Sequence, residues 1–301
     1  MKDYSLSNLS KIIFTDKSCP FLIAGPCALE DEDTCFSAAS AIKRLSLELE
    51  IPVIFKGSFC KANRTREKSF HGVGMEIGLR LLDTVKHDYN LPVTSDVHTV
   101  EQLELAAEYL DIIQIPALLC KNTDLLHAAG GSGCIINIKK GAFITAEDMR
   151  YSIEKVKSRG NPKVLVTERG TQFGYIDTIV DFRSIAILKS FGCPIVFDAS
   201  HSVRNSARRS EDPGGGSPEA IPVLTRCAAA AGVDGLFIET HPEPEYTLCD
   251  SITSYPLNEL PALVKTFVKI YNFMKTINEE SSQLSAVDRR GIYTPASNVR
   301  G

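Results

Sequence analysis

The sequence predicts a single α/β domain folded as a closed (β/α)8 barrel, the TIM-barrel architecture. The chain has 301 residues, a usual length for such a barrel. Eight short apolar runs of strand length alternate with longer amphipathic segments, and the near-continuous apolar character of the runs is typical of parallel strands covered by helices. No Gly-x-Gly-x-x-Gly turn follows the first strand, which makes an open doubly wound sheet the less favoured alternative.

Most of the eight predicted strands are built from Val, Ile, Leu and Phe, which suit a buried pleated sheet. They lie at 21–24, 53–55, 92–96, 112–115, 134–138, 164–166, 195–197 and 235–238. Each strand is followed by a polar loop and a helical segment, so each strand and its helix form one unit of the barrel.

The helices are predicted from amphipathic spacing and from residues that favour helix ends. They lie at 31–49, 74–87 and 100–109, from about 122, from about 145, at 178–190, from 218 and at 257–274. Asn122 suits an N-cap, and Glu147 suits a capping box at the helix that begins near Thr145. Ser217 is predicted as an N-cap with Pro218 at the first helical position.

The barrel is predicted to span residues 19–276, with a short segment at either end. Residues 1–18 are polar apart from an apolar patch at 12–14 and are predicted to form an N-terminal extension or cap. Residues 277–301 are rich in Glu, Ser and Arg. That composition predicts a polar C-terminal tail that is mobile or ordered only by a partner.

Charge and cysteine content narrow the class of protein. A net charge of −4 gives no overall attraction to nucleic acid or to an anionic membrane, so neither is expected as a partner. The absence of a charged-then-apolar leader, and of any apolar run near the roughly 20 residues of a membrane span, predicts a cytoplasmic protein. Nine cysteines without a C-x-x-C pair argue against a disulfide framework or a zinc ribbon.

Every predicted strand end carries a charged, hydrogen-bonding or metal-ligating side chain. In a barrel of this kind the active site lies where the strands end, so these side chains are predicted to meet at one mouth. They are Cys27, Lys56, Asp96, Gln114, Lys139, Arg169, His201 and Glu239. One or two polar strand ends arise by chance, whereas a complete ring predicts a functional site.

Cationic side chains are concentrated where the second strand runs into its loop. The polar residues there are Lys56, Lys61, Asn63, Arg64 and Arg66. With Lys139 and Arg169 they supply enough positive charge for a phosphate beside a carboxylate, and for a second phosphate further out. The backbone N–H of Ser58 adds a directional donor. Taken alone, a basic loop is more often a solvated surface, and Arg169 is equally explained by an ion pair to Glu168 or Asp198.

Four metal-ligating side chains are predicted to lie together, because strands one, seven and eight are neighbours once the barrel closes. They are Cys27, His201, Glu239 and Asp250. A set of sulfur, nitrogen and two oxygen donors suits a divalent transition metal with an open position. The alternative is that Cys27 is an ordinary buried thiol and His201 acts without a metal. Cys249 and His241 are substitutes that spacing leaves open.

Eight short motifs carry a resemblance to one enzyme family. They are Gly-Pro-Cys at 25–27, Lys-Ala-Asn-Arg at 61–64, Thr-Ser-Asp-Val-His at 94–98, Gln-Ile-Pro-Ala at 114–117, Asn-Ile-Lys-Lys-Gly at 137–141, Glu-Arg-Gly at 168–170, Phe-Asp-Ala-Ser-His-Ser-Val at 197–203 and Phe-Ile-Glu-Thr-His-Pro-Glu-Pro at 237–244. Together, over about residues 20–275, they resemble the 3-deoxy-D-manno-octulosonate 8-phosphate synthase family. The sister 3-deoxy-D-arabino-heptulosonate 7-phosphate synthases usually carry Lys-Pro-Arg-Thr in place of Lys-Ala-Asn-Arg.

The resemblance implies a reaction and a set of residue roles. Phosphoenolpyruvate, D-arabinose 5-phosphate and water would give 3-deoxy-D-manno-octulosonate 8-phosphate, a lipopolysaccharide precursor, and inorganic phosphate. The implied substrate-binding residues are Lys56, Ser58, Lys61, Arg64, Gln114 and Arg169. The implied catalytic residues are Asn63, which also takes the sugar, Asp96 in the same pocket, and Lys139 and His201, which handle protons around C2.

The resemblance also implies a divalent metal ion and a homotetramer. The family has metal-dependent and metal-independent branches, and Cys27 after Gly-Pro places the chain with the first. Fe²⁺, Mn²⁺ or Zn²⁺ would then be held by Cys27, His201, Glu239 and Asp250, and would position the sugar aldehyde or the water. One departure is that Asp250 is followed by Ser251 where glycine is expected. The alternatives are a heptulosonate synthase that uses erythrose 4-phosphate, and a non-catalytic barrel that senses sugar phosphates.

Overall fold

The computed structural model describes residues 8–16, 18–62, 68–205 and 215–291, with side chains described as far as residue 279. Two predicted site residues, Asn63 and Arg64, and most of the 202–216 loop lie outside these ranges. Eight parallel strands form the centre of the fold. They are β1 (Phe21–Gly25), β2 (Val53–Lys56), β3 (Val93–Asp96), β4 (Ile112–Ile115), β5 (Ile135–Lys139), β6 (Val164–Glu168), β7 (Ile195–Asp198) and β8 (Gly235–His241).

The strands pair in chain order and the sheet closes on itself. β1 pairs in parallel with β2 on one side and with β8 on the other, in a register that runs from Phe21 opposite Gly235 to Gly25 opposite Glu239. This closure confirms the predicted (β/α)8 barrel. A short ninth strand, β9 (Tyr255–Pro256), pairs in parallel with the end of β8 beyond the barrel.

Nine α-helices lie within the described residues. They are α1 (Leu9–Phe14), α2 (Glu32–Leu49), α3 (Met75–Asp88), α4 (Val100–Ala106), α5 (Thr123–Gly131), α6 (Met149–Lys157), α7 (Arg183–Lys189), α8 (Ile221–Ala231) and α9 (Leu260–Gly291). The Asn122 cap of α5 is confirmed, since its side-chain oxygen accepts a hydrogen bond from the Leu125 N–H at 3.0 Å. Among the described helices, none is both long and apolar enough to cross a membrane.

Alternate residues of each strand face two different cores. In β1, Leu22 and Ala24 belong to the large cluster between the strands and the surrounding helices, whereas Ile23 belongs to the cluster inside the barrel. This alternation follows from the two-residue period of a strand. Leu9 and Ile13 of α1 join the inner cluster. The N-terminal segment therefore packs against the inner cluster of the barrel.

Two helices begin later than the sequence predicted. α6 begins at Met149, because the Thr145 hydroxyl accepts from the Asp148 N–H at 3.2 Å and closes a separate turn first. The predicted capping box with Glu147 was therefore wrong. Residues 218–220 form a 3₁₀ turn before α8, and the Ser217 side chain makes no capping hydrogen bond to the described residues.

The predicted bounds of the helices at 178–190 and 257–274 were also wrong. α7 begins only at Arg183, because the Thr171 and Ile179 backbones exchange two hydrogen bonds of 2.8 and 2.9 Å and hold that segment outside the helix. α9 continues past Met274 to Gly291. Residues 275–290 contain neither Gly nor Pro, so a polar composition alone does not end the helix.

Gly25 is required where β1 approaches β2. A Cβ atom at this position would lie 2.0 Å from the carbonyl oxygen of Lys56, and the φ angle of +153° is one that side chains rarely adopt. We expect Gly25→Ala to lower the free energy of unfolding in urea by about 3 kcal/mol or more. Gly131→Ala is the control, since nothing lies within 4 Å of its added Cβ. Equal stability of the two variants would contradict the steric argument.

Candidate active site

The predicted ring of polar side chains is assembled at the end of the barrel where the strands finish. Lys56, Asp96 and Lys139 are the last residues of β2, β3 and β5. Seven of the eight ring residues are almost completely buried. The eighth, Arg169, is partly exposed. Burial of this much charge is tolerated only where partners compensate it, so the partners of each group define the site.

Lys56 is fully buried at the centre of this ring. Its Nζ donates to the carbonyl oxygens of Pro26 at 3.1 Å and Cys27 at 2.6 Å, and to Glu239 Oε1 at 2.6 Å. These three acceptors match the three donors of an ammonium group. Burial lowers the pKa of Lys56 to about 8, against the opposing attraction of Glu239. Lys56 therefore fixes Glu239 and the loop after β1.

Asp96 begins a chain of hydrogen bonds that crosses four strands. Its carboxylate accepts from the Ser58 hydroxyl at 2.7 Å and from Gln114 Nε2 at 2.7 Å, and it lies 3.5 Å from Lys61 Nζ. Gln114 Oε1 accepts from Asn137 Nδ2 at 3.0 Å, and Asn137 in turn accepts from the Thr167 hydroxyl at 2.7 Å.

This network fixes the ionisation and the orientation of its charged end. Burial alone would raise the pKa of Asp96, but Lys61, Lys56 and Lys139 hold it well below its usual value, so the carboxylate is charged. A buried network whose members are mutually bonded is rigid. Asp96 and Lys61 are thereby presented to the mouth in a fixed arrangement.

Asp198 joins the two predicted proton-handling residues and was missing from the predicted set. Its Oδ2 accepts from Lys139 Nζ at 2.9 Å and from His201 Nδ1 at 2.8 Å, and its Oδ1 accepts from the His201 backbone N–H at 2.9 Å. Burial opposes ionisation, but His201 and Lys139 lower the pKa of Asp198 far below its usual value. Its position at the end of β7, three residues before His201, is a sequence signal that could have identified it.

The contact with Asp198 determines which nitrogen of His201 faces the site. Because Nδ1 donates to the carboxylate, Nε2 is left with its lone pair, 3.6 Å from Glu239 Oε2 and 3.9 Å from Asp250 Oδ2. Burial lowers the pKa of His201 in spite of Asp198 and Glu239, which favours the neutral ring. A neutral imidazole whose Nε2 lone pair faces the site can accept a proton or bind a metal ion.

The backbone that carries Arg169 is fixed by its neighbour Glu168. Glu168 Oε1 accepts from the backbone N–H groups of Arg169 at 3.0 Å and Gly170 at 2.6 Å, and Oε2 accepts from the Ser184 hydroxyl at 3.0 Å. Burial lowers the pKa of the Arg169 guanidinium, which is partly offset by the charge of Asp198. The negative charges of Glu239 and Asp250 oppose this shift in the same way as Asp198 does.

The four predicted metal ligands fall into two overlapping groups. Ligand atoms of His201, Glu239 and Asp250 lie within 4.8 Å of one another, and so do those of Cys27, Cys249 and Asp250. Glu239 Oε2 is buried with no hydrogen-bond partner among the described residues. Burial opposes ionisation of this carboxyl group, but the nearby charge of Lys56 helps to lower its pKa to about 2. A charged buried oxygen in that position is suited to bind a cation.

Cys27 and Cys249 are in disulfide contact, with their Cα atoms 6.0 Å apart although they are 222 positions apart in the sequence. A single pair is not the disulfide framework that the cysteine pattern argues against. Barrel closure explains the pairing, because it places the loop after β1 beside the loop after β8. A sulfur in a disulfide is not a thiolate ligand, so metal binding through Cys27 requires the reduced pair.

Of the two substitute ligands, only Cys249 lies near the predicted metal site. His241 Nε2 instead faces Glu30 Oε2 at 3.7 Å, and its Nδ1 lies 2.8 Å from the carbonyl oxygen of Glu243. His241 therefore makes its contacts with Glu30 and Glu243. This geometry favours His201 as the nitrogen ligand.

Comparison with known proteins gives consistent matches. A model of the DAHP synthetase I family matches residues 3–276. A relative from Syntrophotalea carbinolica, named 2-dehydro-3-deoxyphosphooctonate aldolase, is 47% identical over 254 residues, 84% of this chain and 91% of the relative. Proteins of the same name from Nitratidesulfovibrio vulgaris and Geobacter metallireducens are 46% and 45% identical, over 84% of this chain and 92% and 93% of their own lengths.

Proposed function

Because the chain belongs to the DAHP synthetase I family, we propose that it condenses phosphoenolpyruvate with D-arabinose 5-phosphate as a 3-deoxy-D-manno-octulosonate 8-phosphate synthase. The observation that carries this choice is the name of the relatives, which are octonate and not heptonate enzymes. Membership of the family confirms the resemblance drawn from the motifs. The heptulosonate reaction is the less favoured alternative.

The reaction joins C3 of phosphoenolpyruvate to the aldehyde carbon of the sugar. Water adds at C2, and the bond between C2 and the phosphate oxygen breaks to release inorganic phosphate. Positive charge has to accompany the phosphoenolpyruvate carboxylate and phosphate throughout. Lys61, Lys139 and Arg169 support this role, since all three converge on the mouth. Lys56 acts indirectly, by fixing the position of other groups, because its three donors already hold Glu239 and the loop after β1.

Proton transfers at C2 fall to Lys139 and His201. Both are bonded to the single carboxylate of Asp198, so a change in charge on either one is felt by the other. Lys139 Nζ also lies 3.7 Å from the centre of the Phe237 ring, which keeps the ammonium group against an apolar wall. Asp96 and Gln114 line the same pocket, and the hydrogen bond from Gln114 to Asp96 joins their side chains there.

The donor set fits a divalent metal ion held by Cys27, His201, Glu239 and Asp250. Such an ion would supply Lewis-acid polarisation of a substrate oxygen. Asp198 supports this arrangement by directing the His201 lone pair toward the carboxylates. The proposal includes no step in which the metal changes oxidation state.

The homotetramer is likewise a proposal, and an exposed apolar segment supports it. In the loop after β6, Phe173, Tyr175 and Ile176 are 67%, 60% and 66% exposed. Three large adjacent apolar side chains in water favour burial against another molecule. Light scattering of the wild type and of Phe173→Ser is expected to give a tetramer and smaller species respectively. The cytoplasmic location stays a prediction.

The function is tested by phosphate release from phosphoenolpyruvate, using protein stripped with a chelator and then given single divalent metals. We expect release with arabinose 5-phosphate, only after metal is returned, and little with erythrose 4-phosphate. Preference for erythrose 4-phosphate would support the heptulosonate alternative. Undiminished phosphate release in the presence of chelator would support the synthase activity and contradict the requirement for a metal ion. Release with neither sugar would contradict the proposed function.

A further inference from the structure

The backbone at Asp250 has a conformation that the surrounding structure must impose. Its φ and ψ angles of 49° and 45° lie in the left-handed region, which a residue with a side chain adopts at a cost. Ser251 and not glycine follows it. The position of this proposed ligand therefore depends on how its loop, residues 242–254, is anchored at each end.

The end of the loop after Asp250 is anchored by the barrel. β9 pairs with the end of β8, and the Thr240 hydroxyl donates to the Tyr255 carbonyl oxygen at 2.7 Å. The backbone N–H groups of Thr253 and Ser254 both donate to the Asp250 carbonyl oxygen at 3.1 Å. These contacts fix the backbone on the C-terminal side of the ligand.

Glu30 anchors the part of this loop that precedes Asp250. Glu30 Oε1 accepts from the Thr247 hydroxyl at 2.6 Å and from the Leu248 N–H at 2.8 Å, and its side chain is only 6% exposed. Glu30 lies three residues after Cys27, in the loop after β1. One carboxylate thus ties the loop that carries Cys27 to the loop that carries Asp250.

His241 completes this contact from the side of β8. Its Nε2 lies 3.7 Å from Glu30 Oε2 and has no hydrogen-bond partner among the described residues. Both side chains are shielded from solvent, so the attraction between them is weakly screened. Glu30 is therefore held in place while it binds the Thr247 and Leu248 groups.

We propose that Glu30 is a positioning residue that sets the distance between Cys27 and Asp250 across the proposed metal site. The inference rests on the proposed function and its metal site. Glutamine at position 30 keeps one acceptor oxygen but replaces the charge, which weakens both the Thr247 and Leu248 bonds. Loss of such an outer-shell contact typically lowers metal affinity about 10- to 100-fold.

The test is titration of the reduced, chelator-stripped protein with Mn²⁺ alone. For Glu30→Gln we expect the dissociation constant to rise by about 10-fold or more. Thr247→Val should give a smaller rise, and the double variant should show less than the sum of the two. Glu245→Gln is the matched control, because it removes an exposed carboxylate in the same loop and should bind Mn²⁺ as the wild type does.

A second readout needs no metal. Formation of the Cys27–Cys249 disulfide under a mild oxidant, followed by mass spectrometry, reports whether the two loops are held together. We expect the yield to fall in folded Glu30→Gln and to be unchanged in Glu245→Gln. If Glu30→Gln keeps both the Mn²⁺ affinity and the disulfide yield of the wild type, the inference about Glu30 is wrong, and the proposed metal site is not affected. Failure of the wild type to bind Mn²⁺ would overturn both the metal site and this inference.

Discussion

Replacing Asp198 with asparagine is expected to lower kcat about ten-thousandfold, by analogy with proteases in which the same change stabilises the wrong histidine tautomer. In the native site one oxygen of Asp198 accepts from both Lys139 and His201, and the other accepts from the His201 backbone N–H. An amide has a single acceptor oxygen, so either orientation of asparagine turns an NH₂ group toward a donor. One orientation donates to Nδ1 and leaves the proton on Nε2, which then cannot accept a proton or bind a metal.

The measurement combines single-turnover kinetics with ¹⁵N NMR of the histidine ring, which reports the tautomer independently of activity. Asp111→Asn is the matched control, because Asp111 also pairs with a lysine, Lys86, at 2.9 Å, but at the other end of the barrel. We expect Asp111→Asn to lose stability and to keep kcat. A folded Asp198→Asn protein with wild-type kcat would show that Asp198 has no part in orienting His201.

The fold was predictable because each of its signals is local. Strand alternation in β1 and the N-cap at Asn122 can both be identified from a few neighbouring residues, and closure follows once eight such units are counted. The start of α6 was wrong because a local turn at Thr145 uses the same backbone, and the start of α7 was wrong because a hydrogen-bonded pairing with a preceding segment does so. Thr171 and Ile179 illustrate this, since their pairing depends on a loop geometry that periodicity does not encode.

The ring of site residues was predictable for the same reason, but the interactions within it were not. Asn137 and Thr167 each follow apolar residues within a buried strand, a signal that they must be satisfied inside the barrel. Lys56 is predicted to bind substrate, and the sequence does not reveal that its three donors meet acceptors within the protein. The contact between Glu30 and Leu248 joins residues 218 positions apart, and nothing local in the sequence reveals it.

Oxidation that joins Cys27 to Cys249 is expected to abolish metal binding and activity together, and reduction is expected to restore both. In the proposed site the Cys27 sulfur would be a thiolate ligand, and a sulfur in a disulfide cannot fill that role, so the two states exclude each other. The Cα separation of 6.0 Å allows the bond to form without moving the backbone. Metal content and phosphate release are measured on one sample before oxidation, after it, and after a reductant is added.

Cys249→Ser separates this mechanism from general thiol damage. The variant keeps Cys27 and Asp250 and cannot form the disulfide, so we expect it to bind metal and to stay active in the same oxidant. Cys227→Ser, which removes an exposed thiol, is the control and should be inactivated as the wild type is. Full activity of wild-type protein in which mass spectrometry detects the complete disulfide would remove Cys27 from the ligand set. The site would then have to work through His201, Glu239 and Asp250 alone.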